Sequence, residues 1–431
     1  MVKKKKKNRI LKILKLLICI AFLYSNTLYS QNILSLDSIL IKIDKNNPGL
    51  KMYDAKIKAL NTYAEGARSW EPPKFAAGFF MTPYKTSAWT RQTDNKGNTY
   101  NGMGQFMLSF EQNIANRNKL RSKENYLLAI SGSEKENKNF EKNRLFNEAK
   151  SDYYEWMIIK MKLRVLHESE TLVNFIIQSS KIRYTYNKEK LGSIYKAEAQ
   201  LGELKNSILI LENEIRKKNI NINKLLNQNK NTVFDIDTTY QLANYDLIII
   251  DSTDILNSRS DLKSLEQSLK VARLNQEVER NKSRPDFGIK YDHMFAFGGQ
   301  NNLFTLMGMF TLPIAPWSSR EYKANIKALD YEMAALQAQK QTILNETSGK
   351  LFELSTELKS LKQQLDAYEK NIIPALRNNY KTTLITYEQN TEDLFVLLDA
   401  WQALKVARIE YLNRLQQILK LQVEYEKEIQ R

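Results

Sequence analysis

The sequence predicts a mainly α-helical chain that also carries four amphipathic β-strands of the kind that build a transmembrane β-barrel. Three observations carry this. Gly (14) and Pro (8) are scarce among 431 residues while 26% are charged, a balance that suits long helices rather than a sandwich or an α/β domain. At Pro285 a charged, helix-forming stretch stops and every second residue turns apolar: Phe287, Ile289, Tyr291, His293, Phe295 and Phe297. The other register holds Asp286, Gly288, Lys290 and Asp292, so a strand here has one greasy and one polar face. Finally, the chain is written twice.

The first 30 residues are a different material. "MVKKKKKNRILKILK" is basic, "LLICIAFLY" is apolar, and "SNTLYS" precedes a cleavage point before Gln31, which together read as a secretory signal peptide. The apolar run is short for a membrane span; an uncleaved anchor is the alternative. Cys19 lies inside this run after Ile18, without the small neighbour that a lipoprotein box wants. A mature chain then has no cysteine, hence no disulfide and no thiolate metal site. The segment also carries eight Lys/Arg and no acid, so its loss takes the formal charge from +17 to +9. The remaining Lys and Glu are interspersed as on solvated helix faces, and export argues against a nucleic-acid partner.

The duplication shows in three anchors. "NPGLK" and "SRSDLK" match with Leu50 on Leu262, an offset of 212 that also places Pro73 on Pro285 and Phe75 on Phe287. "LSFEQNI" meets "MFTLPI" at an offset of 200, Phe110 on Phe310 and Ile114 on Ile314. "YNKEKLGSIYKAEAQ" meets "YEQNTEDLFVLLDAW" at 201, Tyr186 on Tyr387 and Ala199 on Ala400. The smaller later offsets put an insertion in the first copy, in the Gly/Asn/Thr-rich stretch 85–101. The organisation that follows is a signal peptide over 1–30, a first repeat over 31–227, a connector over 228–256 and a second repeat over 257–431.

Each repeat reads as a helix, two strands and a long helical hairpin. Pro48 suits a first helical position after a non-helical Asn47. Strands are expected near 75–84, 102–113, 286–297 and 303–314; in the second, Gly104, Phe106, Leu108 and Phe110 share a face against Gln105 and Ser109. Long helices are expected over 115–186 and 318–388, each roughly 100 Å at 1.5 Å per residue, with Ser131-Gly132-Ser133 and Gly349 as possible kinks. The return helix from 195 spaces Leu201, Leu204, Ile208, Leu211, Ile215, Ile222 and Leu225 as a coiled-coil seam, interrupted at Lys218.

Four strands cannot close a barrel, since membrane barrels begin at about eight, and open sheet edges are not tolerated in lipid. The chain must therefore oligomerise, and three copies give twelve strands. At this point the order "NNPGL", "PPKF", two strands, "FEQNIANRNKLRSK", "IIPALRNNY" and "YEQNTEDLFVLLDAW" resembles the TolC family of outer-membrane efflux proteins over nearly the whole mature chain. The stretch "MGQFMLSFEQNIANRNKLRSK" is similar to its heavy-metal-efflux branch. The resemblance implies a homotrimer with a twelve-stranded barrel in the outer membrane and a long periplasmic α-helical barrel. It also implies partners: a periplasmic adaptor (membrane fusion) protein, an inner-membrane pump of the RND type, and outer-membrane lipid.

The same resemblance implies a gate at the hairpin tips. Carried over by position, Tyr387 matches the tip tyrosine and Asp399 an acid that faces the axis. A second acid is Val396 here, a basic tip position is Glu392, and a turn glycine is Asn390. These departures are expected to alter a Tyr/Arg latch. Glu198 holds the slot of Asp399 in the first repeat, so a mixed Asp399/Glu198 ring is expected, with Gly192, Ser193, Asn390 and Thr391 as the adaptor-contact tips. Like charges around a narrow axis with low-dielectric walls focus the field and attract cations; a solvated acid near a helix start is the plainer reading of Asp399.

No catalytic constellation is present, and no cofactor or resident metal is expected. His167 and His293 have no partner at metal-ligand spacing, and "GMG" at 102–104 opens a strand rather than a phosphate-binding helix. Six of eleven Met fall in the predicted strands: Met81, Met103, Met107, Met294, Met307 and Met309. Thioethers suit Cu(I) or Ag(I), although Met is also an ordinary apolar filler. The function expected is a passive exit duct of a tripartite efflux system; the alternative is a periplasmic structural or adaptor coiled coil without a barrel.

Overall fold

The computed structural model describes residues 33–240, 242 and 252–430; the expected signal peptide with Cys19 and part of the expected connector lie outside them. In chain order the elements are β1 (Ile33–Leu34), α1 (Leu36–Asn46), α2 (Pro48–Gly66), β2 (Lys74–Phe79), β3 (Gln92–Thr93), β4 (Thr99–Tyr100), β5 (Gln105–Ile114), α3 (Arg117–Thr185), α4 (Leu191–Leu225), β6 (Asp235–Ile236), α5 (Ser252–Ser258), α6 (Ser260–Asn281), β7 (Asp286–Ala296), β8 (Leu303–Thr311), α7 (Pro316–Ala367), α8 (Ile373–Glu388) and α9 (Leu394–Ile429). The chain divides into two compact units. One comprises the chain up to Asn47 with Leu145–Leu247 and Leu354–Tyr425; the other comprises Pro48–Arg144, Ile248–Glu353 and Glu426–Arg431.

The second of these units holds a four-stranded antiparallel sheet in the order β2-β5-β7-β8. Its register sorts the two faces cleanly. Across one face run the rows Phe75–Phe110–Tyr291–Leu306 and Ala77–Leu108–His293–Phe304. Across the other run Lys74–Glu111–Lys290–Met307 and Ala76–Ser109–Asp292–Thr305. On the apolar face the rings touch one another, Phe75 with Phe110 at 5.4 Å and His293 with Phe295 at 4.3 Å. Phe75, Phe287, Phe304 and Phe310 are nevertheless exposed, which for packed, neighbouring Phe marks a face made for an apolar surrounding. The polar face satisfies itself: Ser109 Oγ donates to Asp292, Lys290 lies 3.3 Å from Asp292, and Lys74 lies 3.1 Å from Glu111.

The strands end earlier than the alternation suggests. β2 stops at Phe79 because Met81 takes φ 45° and Thr82 turns its hydroxyl onto the Phe80 and Gln105 carbonyls. β5 starts at Gln105 because Gly102 is held against the 3₁₀ turn Thr86–Trp89 and donates its N–H to Gly298 at 2.7 Å. Only glycine fits there: a Cβ on Gly102 would stand 2.2 Å from the Trp89 carbonyl oxygen. β8 stops at Thr311, two residues before Pro313, which cannot donate to a ladder.

Neither expected kink site interrupts a helix. α3 is continuous through Ser131-Gly132-Ser133 and α7 through Gly349. The break comes instead at a π-helical turn, Tyr368–Ile372. Pro374, which follows, has no N–H for the Lys370 carbonyl, and a wider turn is a common way to absorb that loss.

The other unit packs α3, α4, α8 and α9 around Val173, Ile176, Ala197, Leu204, Leu394, Leu397 and Trp401, all buried. Lys218, which interrupts the apolar seam, is put to use. Its amine lies 2.8 Å from Asp152 and also bonds Glu155. Burial works to lower its pKa, but the two carboxylates outweigh burial and raise it. The described part of the connector holds β6 and the start of α5; β6 pairs in parallel with β1, and its Asp235 holds Lys160 at 2.7 Å.

Equivalent places in the two halves carry the same devices. Phe75 faces Phe110 and Phe287 faces Phe310, at the offsets of 212 and 200 read from sequence. The residue before α2, Asn47, donates its amide to the Leu225 carbonyl at the end of α4, and the residue before α6, Arg259, bonds the Glu428 carbonyl near the end of α9. Asn227 and Gln430 both take positive φ, 54° and 51°, just past those helix ends.

Candidate functional site: the hairpin tips

α3 and α8 end in the same way. In a Schellman turn the residue past the cap adopts the left-handed region, and its N–H and the next one reach back to the last turn. Asn187 (φ 57°) donates to the Tyr184 carbonyl and Lys188 to Arg183, both at 3.0 Å; Asn390 (φ 61°) donates to Tyr387 at 3.1 Å and Thr391 to Thr386 at 3.0 Å. Asparagine tolerates this conformation better than other side chains that carry a Cβ, so Asn390 can stand where a glycine was expected.

These turns fix an offset of 203, from Asn187 to Asn390 and from Leu191 to Leu394, not the 201 read from sequence. Two residues of slack in the tip loop had been absorbed by matching Tyr186 to Tyr387. On the structural offset Tyr184 is the counterpart of Tyr387, and Lys196, not Glu198, is the counterpart of Asp399.

Tyr387 is the centre of the tip. It is buried, and its hydroxyl lies 3.0 Å from Ser180 Oγ and donates to Glu189 at 3.2 Å, which leaves the Ser180 hydroxyl as donor to the phenol. Burial pushes the phenol pKa up, Ser180 and Arg183 oppose the shift and Glu189 adds to it, so the ring stays neutral. Arg183 closes the arrangement. Its guanidinium sits 4.2 Å from the Tyr387 ring centroid and donates to the Tyr387 carbonyl at 2.9 Å, Asn390 Oδ1 at 3.0 Å and the Glu388 carbonyl at 3.2 Å. A cation thereby caps the negative end of α8 while stacking on its last aromatic residue.

Sequence reasoning missed Arg183, Ser180 and Glu189. With Glu392 at the basic tip position, a Tyr/Arg contact was expected to be altered; the arginine comes instead from the end of α3. The signal was the cluster "SSKIRYTYNKEK" ahead of the turn, whose pairing depends on which hairpin it meets.

Val396 and Asp399, three residues apart on α9, share an exposed face opposite Leu394, Leu397 and Trp401. Glu392, Thr391, Asn390 and Gly192 are exposed and Ser193 is half-buried. Glu198 is paired with Lys181 at 2.8 Å, and Lys196 lies over the Phe395 ring at 3.2 Å. Further along the same helices a cleft of about 470 Å³ lies between α3, α4 and α9, with Lys162 and Lys405 in its wall. Burial lowers the pKa of both amines, against nearby Glu214 and Glu203 respectively. Among the described residues no group of three or more His, Cys, Asp or Glu could hold a metal ion.

No protein-family model matches this sequence, and no curated protein matches it. Solved structures do. The outer-membrane channel OprN aligns with a TM-score of 0.72 at 14% identity, over 91% of this chain and 89% of that one. CusC, studied for the conformational changes that accompany its folding and transmembrane channel formation, aligns at 0.72 and 13% identity over 91% of each chain. VceC, an outer-membrane protein of Vibrio cholerae, aligns at 0.70 and 14% identity over 91% and 95%. With register, hairpins and tips in place, this chain has the fold of the TolC-like outer-membrane channels.

Proposed function

We propose that this chain is the outer-membrane exit duct of a tripartite efflux system, a homotrimer whose twelve strands close a barrel and whose helices extend into the periplasm. The observation that carries the reading is the four-stranded sheet. It presents a mainly aromatic and aliphatic face, broken only at Gln112, His293 and Gly308, and β2 and β8 at its two edges pair with no other strand among the described residues. Such edges are costly in lipid unless other copies continue the ladder. The fold shared with OprN, CusC and VceC supports the same reading.

In this duct the Tyr387–Arg183 contact holds α8 against α3 in the closed state. Docking of a periplasmic adaptor, backed by an RND-type inner-membrane pump, at Gly192, Ser193, Asn390 and Thr391 releases it. Asp399 supplies charge on the α9 face that looks toward the axis, beside the apolar Val396 and below Glu392. Glu198, neutralised by Lys181, contributes less to such a ring.

Expression of the full chain, followed by outer-membrane fractionation and planar-bilayer recording, tests the proposal. Heat-sensitive trimers that conduct, with altered cation block in Asp399→Asn, are expected. A soluble periplasmic species that forms no channels would support the coiled-coil adaptor and sink the duct.

A further inference from the structure

The methionines of the sheet sit on the unexpected face. An apolar filler belongs where most other apolar residues are, and in these four strands that face is built mainly of Phe, Leu, Ile and Tyr, with Ala77, Gly308, Gln112 and His293 among them. It holds no Met, while Leu303 alone of the large aliphatics joins the polar face. All four strand methionines, Met107, Met294, Met307 and Met309, occupy the register of Lys74, Glu111, Lys290 and Asp292. They also form two pairs. Met107 lies directly opposite Met294 across β5 and β7, and Met307 and Met309 follow one another on the same face of β8. Directly opposite positions bring Cβ atoms to about 5 Å, within reach of one ion for two flexible thioethers. Met309 stands opposite Gly288, and a Cβ there would meet its methyl at 3.1 Å, so the missing side chain leaves Met309 free to lie across β7. Between the two pairs stands Asp292, whose carboxylate is already held by Ser109 and Lys290, so uncharged sulfur rather than a free anion would bind here.

We propose that this polar face carries a thioether site for soft monovalent cations of the Cu(I) or Ag(I) type. Thioether sulfur is a soft, uncharged donor that prefers such ions to Na⁺, K⁺ or Mg²⁺. In the duct reading the aromatic face meets lipid, so this polar face lines the lumen, where the two pairs hold cargo weakly enough to pass it on. The inference rests on that reading for its location, but the binding itself is a separate claim.

The test is a titration of trimeric protein, labelled with ¹³C at the methionine methyls and held in lipid nanodiscs, with Ag(I) as the redox-inert probe. Single Met→Leu substitutions, which conserve volume, assign each signal. The methyls of Met107, Met294, Met307 and Met309 are expected to shift and saturate first, ahead of the exposed Met52, Met81 and Met103, with no response to K⁺. The quadruple Leu variant is expected to bind Ag(I) at least tenfold more weakly while remaining trimeric and conductive. If the exposed methionines respond at the same concentration, or if the four strand methyls do not move, the site is refuted even where bilayer recording upholds the channel. A protein that binds Ag(I) at these four residues yet never conducts keeps the site and removes the duct.

Discussion

Replacing Arg183 by Gln should loosen the tip of the second hairpin and leave that of the first intact. Arg183 is half-buried and makes three bonds to the end of α8, at 2.9, 3.0 and 3.2 Å, besides its stack on Tyr387. A fully buried charged donor contributes about 1.5–3 kcal/mol, but partial exposure discounts this to about 1 kcal/mol for the set. The cation over the ring adds about 0.5 kcal/mol and its place at a helix C-terminus about 0.5 kcal/mol more. The total of about 2 kcal/mol corresponds to roughly thirtyfold in an opening equilibrium. Native-state hydrogen exchange reads it at the amides of Asn390 and Thr391, which close the α8 turn. The Asn187 and Lys188 amides close the matching turn on α3 through backbone groups that the substitution does not remove, and they serve as the internal control. Exchange at Asn390 and Thr391 should accelerate by about that factor against the control. Equal acceleration at both turns, or none at either, would refute the assignment of Arg183 as the clasp.

Three further outcomes follow from the geometry. Tyr387→Phe removes the bonds to Glu189 and Ser180 and deprives the buried Ser180 of that acceptor, so chemical denaturation of the helical unit should show a loss of about 1–2 kcal/mol. The Tyr153 phenol, pushed up to about 12 by burial with Asp237 adding to the shift, stabilises the fold fully below its ordinary value near 10 and loses that contribution as pH rises through about 12; alkaline unfolding followed by circular dichroism should therefore shift to higher pH in Tyr153→Phe. Gly298→Ala combines a φ of 75° with a Cβ placed 2.3 Å from the Trp89 carbonyl oxygen, so limited proteolysis should newly cut within 85–101 while the β2-β5-β7-β8 ladder survives.

The strands and the long helices were legible because their signals are periodic and local. Alternation from Phe287 to Phe295 needs no knowledge of the rest of the chain to predict a two-faced strand. Helix interruptions were less legible, since glycines inside a long helix cost little while Pro374 costs a hydrogen bond, and the break follows the larger cost. Offsets in the sheet were right because each strand residue has one partner and a slip would turn every side chain to the wrong face. In the tip loop nothing imposes such a penalty, so a two-residue error passed unnoticed. It carried Glu198 into the slot that Lys196 occupies. Arg183 was missed for a related reason: its partners are carbonyls of another hairpin, and a carbonyl leaves no mark on sequence.

The corrected offset also exposes a difference between the halves. Tyr387 and Leu394 are buried, while their counterparts Tyr184 and Leu191 are 45% and 41% exposed. The same turn motif thus ends two helices in unlike surroundings: one tip is packed on a neighbour within the chain, the other presents an aromatic ring and a leucine to whatever lies outside it. Arg183 joins the two, because it belongs to the exposed turn and bonds the buried one. The two hairpins thus share a turn and differ at a few tip residues, with the arginine of one bonded to the end of the other.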